Sequence, residues 1–283
     1  SGAGINPAYF IALLGGIFVY SFIVGLEKAN ERKMIIRGLL VIVGTLLAAN
    51  LYWILPLTNY LFFQSKILNL ADIGLTNWLD SLSVNTSLLN VLRLQGAWDW
   101  YSLDASGQPL YLPYALNYFR KLPFILFSFV LPTIAILSFA AGKTKENIEF
   151  YLCFGIFLLL GVFMGAGTHP PTGFVYSFLV GKIPFFSFFR SPWYIFTPYL
   201  IFAYAGLASL LFAGLEKLRI RFIVYSLTFL FVVGYLLYSY PLVTGKIFRP
   251  SKPDGFYVKF PDYVWETEKW LQGEDNGING RII

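Results

Sequence analysis

"FYLCFGIFLLLGVFMGAG", residues 150 to 167, carries no ionised side chain from end to end. As a helix the run reaches close to the hydrocarbon thickness of a bilayer, roughly 30 Å. It is too long and too little alternating for a barrel strand, and in lipid a helix satisfies its own backbone hydrogen bonds. Five further stretches read the same way: 7–26, 38–58, 122–141, 192–215 and 222–240. The composition agrees, since 57% of residues are apolar, 13% are charged and the mean hydropathy is +0.64. These values lie outside the range of soluble domains. The expectation is an all-α polytopic membrane bundle with about six transmembrane helices over residues 1–240 and ordered extracytoplasmic loops. Residues 241–283 would form an extracytoplasmic segment that opens a further, truncated soluble domain.

Orientation follows from the connectors. "EKANERKMIIR" holds Lys28, Arg32, Lys33 and Arg37, "GKTKENI" holds Lys143 and Lys145, and "GLEKLRIR" holds Lys217, Arg219 and Arg221. Short basic loops stay on the cytoplasmic side, so both ends and both long loops are expected outside. The net charge of +6 is then a topology signal, and no basic run marks a nucleic-acid surface. Cys153 is alone inside a span and reads as a small core residue. One histidine and one cysteine make no metal cluster, so any divalent metal would be supplied from outside this stretch.

The long loops are where polar chemistry can sit. Between Asn59 and Lys121, residues 86–94 read as a short amphipathic helix on the membrane surface, with Trp98, Trp100 and Tyr101 at headgroup level. Trp98-Asp99-Trp100 offers an aromatic face for a sugar ring and a carboxylate for its hydroxyls, and it reads equally as an interfacial aromatic belt. Asn85-Thr86-Ser87 is a sequon only if the loop meets a glycosylation machinery. In the second loop, "GTHPPTGFVYSFLVGKIPFFSFFRSP", residues 172–180 form a short apolar helix, and Pro192 suits the first turn of the next span. Arg190 stands just before it, among Phe186, Phe188, Phe189 and Trp193, as either a lipid-interface anchor or a fork for a lipid-linked phosphate. His169 is a loop residue or a second ligand of that phosphate, with acid or base chemistry open to it.

The order "GTHPPTG", short helix, "FFSFFRSPWYIF", "AYAGLASLLF", one more span and "PDYVWETEKWLQ…NGRII" resembles the later membrane helices of GT-C-type glycosyltransferases. The likeness covers the second half of the chain and is nearest to the arabinofuranosyltransferase-like proteins. The resemblance implies a fragment of an enzyme that moves a sugar from a polyprenyl-phosphate donor to a glycan or protein acceptor outside the membrane. It implies Arg190 as the donor-phosphate ligand with His169 as a second candidate; Trp98 and Trp100 are substrate-binding candidates from the residue reading above. The family's catalytic carboxylate lies in its first outward loop, which would precede this stretch. Asp99 or His169 would then be catalytic only if the chain departs from the family arrangement. A transporter or flippase of lipid-linked saccharides, or a non-catalytic scaffold, are the other readings; the absence of charge within the spans argues against an ion-coupled carrier.

Overall fold

A computed structural model describes residues 7–64, 72–104, 106–141, 147–183, 186–216 and 221–245, together with Tyr263, Trp265 and Glu266. The chain divides into two compact units, residues 1–247 and 248–283. In the second unit Tyr263, Trp265 and Glu266 are helical. The rest of the expected extracytoplasmic segment, residues 246–262, 264 and 267–283, lies outside the described residues.

The first unit is a helical bundle, and no strand occurs among its described residues. Five helices are long and apolar enough to cross a membrane. They are α1 (Pro7–Glu27), α2 (Arg32–Gln64), the pair α6 (Leu122–Ser128) and α7 (Val130–Ala141), α8 (Ile148–Gly165) and α10 (Pro192–Glu216). The sixth expected span is α11 (Arg221–Tyr238), whose apolar stretch Tyr225–Tyr238 is shorter; α12 (Tyr240–Val243) follows it. Between α2 and α6 lie α3 (Asp72–Ser83), α4 (Leu88–Leu92) and α5 (Ala115–Arg120), and between α8 and α10 lies α9 (Gly173–Lys182).

Two departures from the sequence reading have local causes. Helix α2 already begins at Arg32, so Arg32, Lys33 and Arg37 are helical rather than part of a connector. The span 122–141 is broken at Phe129. Pro132 has no N–H to give the Ser128 carbonyl four residues back, so the ladder cannot run through. The Phe129 N–H turns to Leu126 instead (3.1 Å), and regular bonding resumes with Thr133 to Phe129 (2.9 Å).

The core is the α8–α10 seam. Val162, Leu200, Ala203, Tyr204 and Leu207 are buried, and Gly161 lets the helices close until an added Cβ would stand 2.9 Å from the Leu200 backbone nitrogen. Gly206 makes the same approach to the Phe154 ring. Helix α7 packs on α10, and α1 is held by the Tyr199 hydroxyl donating to the Ala12 carbonyl. Helix α2 buries none of its apolar span and touches α1 through an edge-on Phe10–Trp53 contact at 5.5 Å.

The two ends of the bundle differ. At one, Lys28 after α1 pairs with Glu149 in the first turn of α8 (3.0 Å), and Glu149 is buried. The hydrogen bond and charge of Glu149 raise the Lys28 ammonium above its ordinary range. At the other end the long loops fold together.

Candidate functional site at the loop end of the bundle

Helix α3 ends and α4 begins in a latch. Thr86, fully buried, shares its one hydroxyl proton between the Ala166 carbonyl (2.6 Å) and the Ser83 carbonyl (2.9 Å). The Ser83 hydroxyl oxygen accepts from the Thr168 N–H (3.1 Å). Gly167, at φ +58°, turns the chain where a side chain would strike Ser83 and Pro192. Ser87 caps α4 by accepting the Asn90 N–H, and Asn90 in turn donates to the Asn85 carbonyl (2.9 Å). The Asn85-Thr86-Ser87 triplet is therefore a capping turn whose middle residue is interior.

Helix α4 turns one face into the bundle and leaves Leu89 exposed. Val91 is fully buried beside Gly165, Leu88 and Leu92 join the core, and the Tyr204 hydroxyl donates to the Leu92 carbonyl (2.6 Å). Farther on, Gly96 admits the Trp193 indole. The loop thus runs along α10 between Tyr204 and Trp193, positions about 16 Å apart on a helix axis. Leu94 makes the bend with φ +57°, a conformation that costs a branched residue about 1–2 kcal/mol.

Asp99 sits in the single 3₁₀ turn Trp98–Trp100 that follows. Its Oδ1 is enclosed without a hydrogen-bond partner. Burial raises the carboxyl above the ordinary aspartate range; the backbone N–H groups of Asp99 and Trp100 and the Tyr194 hydroxyl oppose that rise only in part. Tyr114 is close enough for its own phenol to be raised, first by burial and then by the Asp99 charge. Trp98 is exposed and meets Tyr111 edge-on at 5.4 Å, so part of its indole is open. Trp100 is different: Tyr114, Tyr118 and Phe119 surround it edge-on, and it packs on the core. Tyr101 stacks on Phe119 at 4.6 Å and donates to the Gln95 carbonyl (2.8 Å), and burial pushes its phenol up to about 12. Trp100 and Tyr101, expected at headgroup level, are half-buried and packed against the rings of residues 114 to 119.

Arg190 follows a 3₁₀ turn, Phe186–Phe189, and precedes Pro192, which opens α10 as expected. Its aromatic neighbours turn away from it. Phe186, Phe188 and Phe189 pack with Tyr176 and Phe196, the Tyr176 hydroxyl donates to the Phe189 carbonyl, and Trp193 is buried against Gly96. Arg190 is exposed and makes no ion pair, hydrogen bond or ring contact among the described residues. His169 lies in the turn between α8 and α9, with Nδ1 against the Pro170 carbonyl, which leaves Nε2 as the outward nitrogen. Asp99, His169 and Arg190 thus share one end of the bundle, yet no hydrogen bond or ion pair joins them. No group of three His, Cys, Asp or Glu able to hold a metal occurs among the described residues.

Sequence reading missed a second polar cluster. Arg93, the sole base between Lys66 and Arg120, places its guanidinium 4.9 Å over the Phe129 ring and donates from Nε to the Ser128 hydroxyl (2.8 Å). It occupies the break between α6 and α7. Gln95, nearly fully buried, donates to the Tyr238 hydroxyl (3.1 Å), while its Oε1 has no partner. Nearby, a groove of about 680 Å³ runs between α10 and α11, lined by Leu94, Leu131, Tyr204, Ala208, Phe231 and Tyr235 among others. Pro132 and the isolation of Arg93 were the available signals. No protein-family model, no curated protein and no solved structure matches this chain.

Proposed function

We propose that the chain belongs to a membrane-embedded glycosyltransferase moving a sugar from a polyprenyl-phosphate donor to a glycan or protein acceptor, with the Asp99 end of the bundle extracytoplasmic. The observation that carries the reading is Asp99: a carboxylate with one enclosed, unpartnered oxygen and a raised pKa, at the bundle end where the loops converge. A carboxylate whose affinity for a proton is raised by burial suits a general base. Asp99 would take the proton of an acceptor hydroxyl as its oxygen attacks the anomeric carbon. The bond from that carbon to the phosphate oxygen breaks, and polyprenyl phosphate leaves. Arg190, exposed and unpaired among the described residues, would hold that phosphate through its bidentate fork, with the imidazolium form of His169 as a further donor from Nε2. Trp98 offers its open face to the sugar, whereas Trp100 supports the turn that carries Asp99.

The test uses the full-length protein in bilayers with a polyprenyl-phosphate sugar and each variant checked for folding. Asp99→Asn should lower transfer by about 10²-fold or more. Arg190→Lys should reduce it by losing the fork, and Arg190→Ala should reduce it further. Wild-type turnover by Asp99→Asn would overturn Asp99 as the base, and equal turnover by Arg190→Lys and wild type would return Arg190 to a lipid anchor.

A further inference from the structure

We infer that Arg93 is the phosphate ligand of a bound anionic lipid whose chain lies in the groove between α10 and α11, a site separate from Asp99. Four observations converge. First, Arg93 lies at the depth of the helices: its neighbour Leu92 is bonded to Tyr204, about 18 Å into α10 from Pro192, and Ser128 closes the last turn of α6. A guanidinium among spans is rare unless it has an anionic partner or a function. Second, no carboxylate pairs with it. Lys28–Glu149 is the ion pair among the described residues, and it stands at the opposite end of the bundle.

Third, only Nε is engaged. The two terminal nitrogens make no hydrogen bond among the described residues, which leaves the planar fork suited to phosphate oxygens. Beside it, the charge of Arg93 acts on Tyr238, whose hydroxyl accepts from Gln95. The enclosed Oε1 of Gln95 has no hydrogen-bond partner. Fourth, the lining of the groove includes chain neighbours of this cluster. Leu94 is the residue after Arg93, and Leu131 is three residues from Ser128. The wall is otherwise apolar and rich in small residues on α10, including Ala205, Ala208 and Ser209. A cation with a free fork, one residue from the lining of an apolar groove, matches one chemistry, a phosphate on a long hydrocarbon chain. Leu94 holds a left-handed backbone where the two parts meet.

The test is binding and does not depend on sugar transfer. The purified chain in micelles is titrated with hexadecyl phosphate, hexadecanol and inorganic phosphate, with bound ligand counted by native mass spectrometry. Wild type should bind hexadecyl phosphate in preference to both other probes. Arg93→Gln should weaken it about tenfold or more, with Arg93→Lys in between. Ala208→Trp, which fills the groove, should weaken it comparably while leaving Arg93 in place, so the groove is tested even if Arg93→Gln fails to fold. Asp99→Asn should bind as wild type does. Equal binding of hexadecanol, unchanged binding by Arg93→Gln, or unchanged binding by Ala208→Trp would each overturn the inference; inorganic phosphate binding as tightly as its hexadecyl ester would reduce the site to one for a free anion. Loss of transfer in Asp99→Asn with intact lipid binding separates this site from the proposed catalytic one.

Discussion

Alanine at Gly161 should split the α8–α10 seam. A Cβ there would lie 2.9 Å from the backbone nitrogen and Cβ of Leu200 and 3.1 Å from its Cα, where ordinary contact begins at 3.4 Å. Backbone cannot swing aside as a side chain can, so the two helices must part by about 0.5 Å. A gap of that size forfeits about a quarter of each dispersion contact, and Leu200, Ala203 and Leu207 are all fully buried along this line. Overpacking of this kind costs about 1–3 kcal/mol. Gly155→Ala on the same helix is the control, because its Cβ would meet the tip of the Phe139 ring at an ordinary 3.4 Å. Both substitutions gain the same helix propensity, about 1 kcal/mol, so their difference isolates the clash with Leu200. Reversible unfolding in mixed micelles measures it. Gly161→Ala should be less stable than Gly155→Ala by about 1–3 kcal/mol. If the two are equally stable, the close approach of α8 and α10 is not what holds the bundle.

Thr86→Val keeps the volume but loses the hydroxyl bond to the Ala166 and Ser83 carbonyls, which retain the His169 and Thr86 backbone N–H groups; it should cost about 0.5–1.5 kcal/mol and speed proteolysis between residues 84 and 101. Asp99→Asn should stabilise the protein at neutral pH. The folded carboxyl is raised, so its contribution is full below the unfolded pKa and lost as pH rises through the folded one, and an amide does not titrate. Unfolding measured against pH should show the wild type approaching the variant as the pH falls, and parallel curves would refute the burial of Asp99. For orientation, Cys153 is buried and gives a silent background for labelling. A cysteine at Lys33 should resist an impermeant reagent added outside sealed cells, and labelling there would reverse the topology.

The spans were legible because lipid demands long apolar helices, and a run such as 150–167 has one way to meet that demand. Pro192 opening α10 and the helix α9 were legible for local reasons, a fixed φ and bracketing turns. What sequence could not show was which way the loop residues face. Trp98 and Trp100 are two apart and chemically alike, yet one is open and the other is surrounded by three rings from residues 114 to 119. Thr86 and Tyr204 become interior through partners 80 and 112 residues away, a separation that leaves no periodic trace. Arg93 passed as one polar residue of a surface helix because its host, the break at Phe129, belongs to another span.

The latch between Thr86 and Ala166 has a consequence for the order of events during synthesis. The segment from Ser83 to Gln95 emerges before α8 and α10, which supply the Ala166 carbonyl, the Thr168 N–H and the Tyr204 hydroxyl it needs. Until those helices are threaded into the bilayer, the Arg93 and Gln95 side chains have only water to satisfy them and Thr86 only its neighbour Ser83, so the segment must wait solvated at the membrane edge while the six helices α5 to α10 are made. Docking of the loop is therefore a late step, and Asp99 acquires its enclosed setting only when the bundle is nearly assembled. A nascent chain halted before Thr168 should carry inserted helices and an unprotected loop, assembled as a membrane protein but not yet as a site.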